Sequence, residues 1–283
     1  MIKTQHILLL FCMILLAACG SKTKENKDEI YFRHLQKHIS LTIISTPVPK
    51  DKGDFNLLLL NNGQDINQLR VKNIVDNLYK KKLIDPLVIV GINAFDRMQE
   101  YGVAGYPDYQ NNGTSAEKYS NFIINELLPF IKKKSGVRKF NSITIAGISL
   151  GGLSAFDIAW DNADKIDKVG VLPGSFWVGD KDASDPAYSD DKNRIIINKI
   201  RLSRKRPHLK YWFYAGGSEE IADRDKDGII DVVDDTEYLI DLIKKKNVCP
   251  PQYIVYTDAR EGKHDYDSWS KVFPQFLIWA VGK

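Results

Sequence analysis

A chain of 283 residues is long enough for one large α/β domain with a substantial core. Its 43% hydrophobic, 11% aromatic and 27% charged residues are those of a folded globular protein. The 40 basic and 36 acidic side chains leave a formal charge of +4. Lysine clusters at 80–82, 132–134 and 244–246 each close an apolar, helix-like run. There positive charge suits the C-terminal helix dipole, so they read as solvated helix ends and not as a nucleic-acid surface.

In chain order, Lys3 precedes an apolar run from Ile7 to Ala18, too short to span a membrane as an ordinary helix. The run ends Leu16-Ala17-Ala18-Cys19, and small residues directly before a cysteine resemble the lipobox of bacterial lipoproteins. That resemblance implies a signal peptide over residues 1–18 and lipid on Cys19. In the sorting rule this resembles, Gly20 in place of Asp permits transfer to the outer membrane, and the expected location is the cell envelope, lipid-anchored. Residues 19–38, polar over Ser21 to Glu29, read as a flexible tether, and 39–283 as the folded domain. Cys249 is then the lone cysteine of the mature domain, which excludes an intrachain disulfide. It precedes Pro250-Pro251 in a loop and reads as structurally neutral.

From about Ile39 apolar strand-like runs alternate with amphipathic helix-like runs, the pattern of a mostly parallel sheet with helices on both faces. Strands are expected at Leu41–Ser45, Phe55–Leu60, Leu87–Ile92, Ser142–Ala146, Lys168–Leu172, Leu209–Tyr214 and Gln252–Tyr256. Helices are expected at Ile66–Lys82, Ala116–Lys134, Leu150–Asp161, Thr236–Lys246 and Trp269–Val281.

The chemistry concentrates at Gly147-Ile148-Ser149-Leu150-Gly151, a G-x-S-x-G motif between a strand-like and a helix-like run. A serine on so sharp a turn needs neighbours without bulk two residues before and after it. The turn lifts its hydroxyl above the sheet and aims helix N-terminal N–H groups at a developing oxyanion. Ser154 falls inside the helix and reads as packing. A hydrolase of this kind has its groups in the order Ser, acid, His. His264, after the last strand and before the last helix, meets that order; His34, His38 and His208 do not. The acid is expected after the penultimate strand, in Gly216-Gly217-Ser218-Glu219-Glu220. Glu219 is the first choice, with Glu220 and Asp223 as alternatives. For the oxyanion hole the chain offers the backbone N–H groups of Leu150 and of Gln64, in the loop after Leu60.

Together these pieces resemble the esterase D, feruloyl esterase, enterochelin esterase and mycolyltransferase group of α/β-hydrolases. The matching residues are Leu59 through Asp65, Val90-Gly91-Ile92, Arg97 through Tyr101, Gly113 through Tyr119, Phe122, Glu126 through Pro129, Ile145 through Leu153, Pro173 through Trp177 and His264 through Trp269. The resemblance implies the α/β-hydrolase fold and a serine carboxylic-ester hydrolase acting through Ser149, Glu219 and His264. Carbohydrate-linked, aryl (feruloyl-type) or siderophore esters are the expected substrates. Two alternatives are an acyltransferase of the mycolyltransferase type and a non-catalytic, calcium-dependent surface binding protein. Two departures from the family pattern stand out. Asn62 replaces an Asp, which bears on substrate contacts, and Leu150 replaces a Met of similar volume. Trp160, Trp177 and Tyr106 are aromatic candidates for core or cleft.

Behind the acid, residues 223–234 read D-x-D-x-D-G with further carboxylates at loop positions nine and twelve. Calcium needs several oxygens around one point, and a glycine at position six makes the sharp turn. The stretch resembles the calcium loops of dockerins and thrombospondin type 3 repeats. Asp223, Asp225, Asp227, the Ile229 carbonyl, Asp231 and Asp234 are the candidate ligands of a structural Ca2+; the chemistry itself needs no cofactor.

Overall fold

A computed structural model describes residues 22–34, 36–47 and 55–283; the expected signal peptide and Cys19 lie outside the described residues. Among the described residues eight strands form one sheet: β1 (Lys24–Phe32), β2 (Lys37–Ser45), β3 (Asn56–Asn61), β4 (Leu87–Ile92), β5 (Ile143–Ser149), β6 (Lys168–Gly174), β7 (Lys210–Ser218) and β8 (Ile254–Lys263). Their spatial order is β1-β2-β4-β3-β5-β6-β7-β8. β2 pairs antiparallel with β1 and with β4, and β3 through β8 run parallel to one another. This is the α/β-hydrolase arrangement, a mostly parallel sheet.

The helices are α1 (Val71–Lys80), α2 (Arg97–Glu100), α3 (Ala116–Phe122), α4 (Leu128–Ser135), α5 (Leu150–Asp161), α6 (Asp190–Asn193), α7 (Ile195–Leu202), α8 (Asp231–Lys245) and α9 (Tyr266–Val281). Strand side chains alternate faces, so β3 divides its leucines between two cores. Leu57 and Leu59 pack with α3, α5, α7 and α8, whereas Leu58 and Leu60 pack with α1 and α9. Being covered on both sides, β3 and β4 are buried along their whole length, which explains the apolar runs Leu57–Leu60 and Leu87–Ile92 within them.

Several boundaries move for identifiable reasons. Residues 24–32 and 37–38, within the expected tether, form β1 and the start of β2. β1 is an edge strand exposed over most of its length, so it can be polar and charged, and such residues discourage pairing with another chain. The first helix starts at Val71, not Ile66, because Arg70 is left-handed at φ 56 and breaks the ladder. The run from Ala116 is interrupted by a π-helical turn at Ile123–Leu127, where Pro129 near the start of α4 cannot donate to the preceding turn. The eighth helix starts five residues early, at Asp231, because the Glu220 carboxylate accepts the Val232 N–H at 2.9 Å. Asp265 likewise caps α9 by accepting from Ser268 N at 2.7 Å.

Candidate active site

Ser149 ends β5 and precedes α5 with φ 57 and ψ −126, a conformation that a residue with a side chain rarely adopts. A Cβ on Gly147 would run into the Gly151 carbonyl, and one on Gly151 into the Asn62 side chain. Both glycines of the motif are therefore required by close approach. The chain turns so tightly that Gly174 of β6 becomes the sheet partner of Ser149 after a register shift. Leu150 opens α5, so its N–H has no acceptor within the helix.

Two buried asparagines hold this turn to the end of β3. Asn61 Nδ2 donates to the Gly151 carbonyl at 2.9 Å, and the Ile148 N–H donates to Asn62 Oδ1 at 3.2 Å. Two buried tyrosines complete the network. Tyr119 donates to Asn61 Oδ1, and the Asn62 N–H donates to the Tyr101 hydroxyl, both at 2.8 Å. Burial pushes both phenols above their ordinary range, so they stay neutral. The expectation that Asn62 bears on substrate contacts is corrected: it is 1% exposed, and its side chain braces the serine turn. The sequence signal for this network was two polar residues closing a wholly apolar strand. Gln64 follows in a short 3-10 turn, Gly63–Asp65. Its N–H takes no backbone acceptor among the described residues, so Gln64 and Leu150 each offer a donor.

A histidine and a carboxylate meet at the same C-terminal edge of the sheet, beyond β7 and β8. His264 follows β8, and Glu219 follows β7. His264 Nδ1 lies 2.8 Å from Glu219 Oε2, and Trp269 Nε1 donates to Glu219 Oε1 at 3.4 Å. Burial raises the Glu219 carboxyl from its ordinary value, opposed chiefly by the hydrogen bond and charge of His264. Glu220 turns away to cap α8, and burial raises its carboxyl too. Of the two glutamates, Glu219 is the one that faces His264.

Ser149, His264, Glu219 and Glu220 line one cleft of ≈ 310 Å³, together with Pro173, Gly174, Ser175, Trp177 and Val232. The Ser149 hydroxyl lies 3.2 Å from that of Ser175, a residue to which the sequence assigned no role. Trp177, 47% exposed, is among the residues lining this cleft, whereas Trp160 is buried. Tyr106 lines a second cavity of ≈ 530 Å³ near the far end of α5, with Lys199 and Lys205. Their ammonium groups are already paired with Asp157 and Asp161. Ser154 is buried inside α5, and burial raises the Cys249 thiol, which disfavours the reactive thiolate.

The acidic loop is assembled in part. Oxygens of Asp223, Asp225 and Asp227 can lie within 4.8 Å of one another, and Gly228 makes the turn at φ 94. Asp234 in α8 is pushed up to about 6 by burial and by the carboxylates of Asp227 and Asp225. Asp231 departs from the expectation of a ligand. It accepts the Arg224 N–H at 2.9 Å and pairs with the Arg224 guanidinium at 3.1 Å, because Arg224 folds inward onto Asp235.

Comparison with known proteins decides the family. A family model described as "Putative esterase" matches residues 40–280. The chain belongs to this esterase family. It is accordingly a carboxylic ester hydrolase, and the reading as a non-catalytic binding protein falls away. The YbbA protein of Bacillus subtilis is 24% identical over 239 residues, covering 82% of this chain and 88% of its own. Among solved structures, a ferulic acid esterase superposes with a TM-score of 0.67 at 18% identity, covering 92% of this chain and 98% of that one. The enterobactin esterase of Shigella flexneri gives 0.66 at 19% identity, covering 90% of this chain; the chain spans 59% of that enzyme's length. An IroE-like serine hydrolase from Shewanella oneidensis gives 0.64 at 18% identity, with 90% and 79% covered. At these identities the structural likeness speaks for the fold.

Glu219→Gln is expected to lower kcat on a small aryl ester by about a thousandfold or more, as loss of the carboxylate behind a catalytic imidazole does. Glu220→Gln is expected to keep kcat within about tenfold and to cost about 1 kcal/mol at the α8 cap. Parallel kinetics and thermal melts of the two variants check the assignment, and the reverse ranking would overturn it.

Proposed function

We propose that this esterase works through a Ser149–His264–Glu219 triad and an acyl-enzyme. The carrying observation is the 2.8 Å His264–Glu219 hydrogen bond, in the cleft that also presents the strained Ser149. His264 takes the Ser149 proton through its free Nε2, while Glu219 orients the ring and stabilises the imidazolium. Ser149 attacks the ester carbonyl, and the N–H groups of Leu150 and Gln64 receive the oxyanion. His264 then returns its proton to the leaving alcohol, and water releases the acid. Ser149→Ala is expected to abolish labelling by a fluorophosphonate probe and to lower kcat by about a millionfold. Labelling and turnover that survive the substitution would sink the triad.

The substrates proposed are carbohydrate-linked, feruloyl-type aryl or siderophore esters. The names of the ferulic acid and enterobactin esterases support this range. So does the half-exposed Trp177 beside Ser149, a flat face on which an aromatic or sugar ring can rest.

A structural calcium ion is proposed for the acidic loop, held by Asp223, Asp225 and Asp227 with Asp234. The support is the convergence of the first three and the like-charge pressure on the fourth, which a divalent cation would relieve. Asp231, engaged by Arg224, is left out of the set. The ion would order the segment between Glu219 and α8. Calcium is expected to raise the melting temperature of wild type but not of Asp225→Ala. Melting unchanged by calcium or chelator, with no calorimetric binding, would refute it.

The lipid anchor at Cys19 is likewise a proposal, supported by the Leu16-Ala17-Ala18-Cys19 run. Among the described residues no helix is long and apolar enough to cross a membrane. Expressed in bacteria fed a clickable fatty acid, the full chain should be labelled and membrane-bound, and Cys19→Ser should be neither. Equal labelling of both would refute the anchor.

A further inference from the structure

Ser175 is buried, at 4% exposure, yet its hydroxyl reaches the nucleophile, 3.2 Å from Ser149 Oγ. The contact is built by the sheet. Gly174 of β6 is the register partner of Ser149, and the Ser175 N–H donates to the Ser149 carbonyl at 3.3 Å. Phe176 anchors the next position in the core against Phe156 and Phe213, and Val178 N donates back to the Ser175 carbonyl at 3.3 Å. The backbone that carries this hydroxyl is thus held on both flanks, and the residue is not a surface group.

Resting on the reading of Ser149 as nucleophile, we propose that Ser175 is a further residue of the reaction, donating its O–H to Ser149 Oγ. The direction follows from proton bookkeeping. Ser149 must give its single proton toward His264 for attack, so the remaining contact on Oγ has to be one in which Oγ accepts. A donor on Oγ withdraws electron density and does little for attack. Its value comes when Oγ is the leaving group. In deacylation water adds to the acyl carbonyl and passes its proton to His264. The C–Oγ bond then breaks, its electron pair goes to Oγ, and His264 returns the proton to Oγ. Ser175 stabilises the charge that develops on Oγ in that second step, from a buried position that needs no reorganisation. Ser175 therefore acts mainly on breakdown of the acyl-enzyme and also holds the Ser149 side chain between turnovers.

The test separates the two half-reactions with a p-nitrophenyl ester. The pre-steady-state burst reads acylation, and decay of a radiolabelled acyl-enzyme reads deacylation. In Ser175→Ala, acyl-enzyme decay is expected to slow about tenfold while the burst rate stays within about twofold, as for loss of one hydrogen bond to a developing charge. Ser175→Cys, similar in size but a weaker donor, should fall between, with a melting temperature like that of wild type. Equal decay rates in wild type and both variants overturn the proposal. So does a parallel fall of burst, decay and melting temperature, which would make Ser175 merely structural. If Ser149→Ala retains activity, the nucleophile reading itself has failed. If Ser149→Ala is inactive and Ser175→Ala decays normally, only the Ser175 assignment fails.

Discussion

A serine held at φ 57 and ψ −126 between a buried strand and a buried helix is the constraint on which the rest of the site depends. Such a backbone costs on the order of 1–3 kcal/mol and persists only where its surroundings overdetermine it. Here they do so from two sides. The asparagines at the end of β3 hold the backbone of Ile148 and Gly151, and Ser175 after β6 holds the serine itself. Losing either asparagine would strand buried polar groups, an outcome more costly than the net value of a hydrogen bond. The strained turn and its braces thus form one unit, and the unit sets where the hydroxyl and the Leu150 N–H stand.

The second half of the site depends on a different balance. Glu219 is taken out of water, which by itself favours the neutral acid, while the hydrogen bond to His264 and its charge favour the carboxylate. A carboxylate so placed needs partners for both oxygens, and His264 and Trp269 provide them. Trp269 also stands edge-on to the imidazole, with ring centroids 4.8 Å apart. The ring of His264 is thereby fixed by a carboxylate at one nitrogen and by an indole at its flank.

The two halves are joined across the top of the sheet. Tyr266, two residues after His264, donates to Asp65 in the Gln64 turn at 2.9 Å. Asp267 adds an exposed pair with Arg70 at 3.1 Å, worth little by itself in solvent. On the other flank, the segment after Glu219 is tied to α8 by Glu220 and by the buried group of Arg194, Arg224 and Asp235. Breaking such a buried group by removing one partner would leave a charge uncompensated, so it fixes geometry more than it adds stability.

Local sequence was enough to determine the sheet-and-helix alternation, the serine turn and the chain order of Ser149, the Glu219-Glu220 pair and His264. Each of these is written in neighbouring residues: the continuous apolar runs of β3 and β4, the glycines two positions either side of Ser149, and a histidine between the last strand and the last helix. The polar edge strand β1 could not be read that way. Its residues bury little, and only its register against β2 makes it a strand. The same limit applies to Glu219 against Glu220. Adjacent carboxylates are chemically equal until one faces an imidazole and the other a helix N-terminus. Asp231 is engaged by an arginine seven residues before it, a contact that no ligand spacing encodes. Ser175, Asn61 and Asn62 became parts of the site only when parallel pairing set the ends of β3, β5 and β6 side by side. Sequence supplies groups and their order along the chain; which of them touch is decided by strand order, because strands adjacent in the sheet are far apart in the chain.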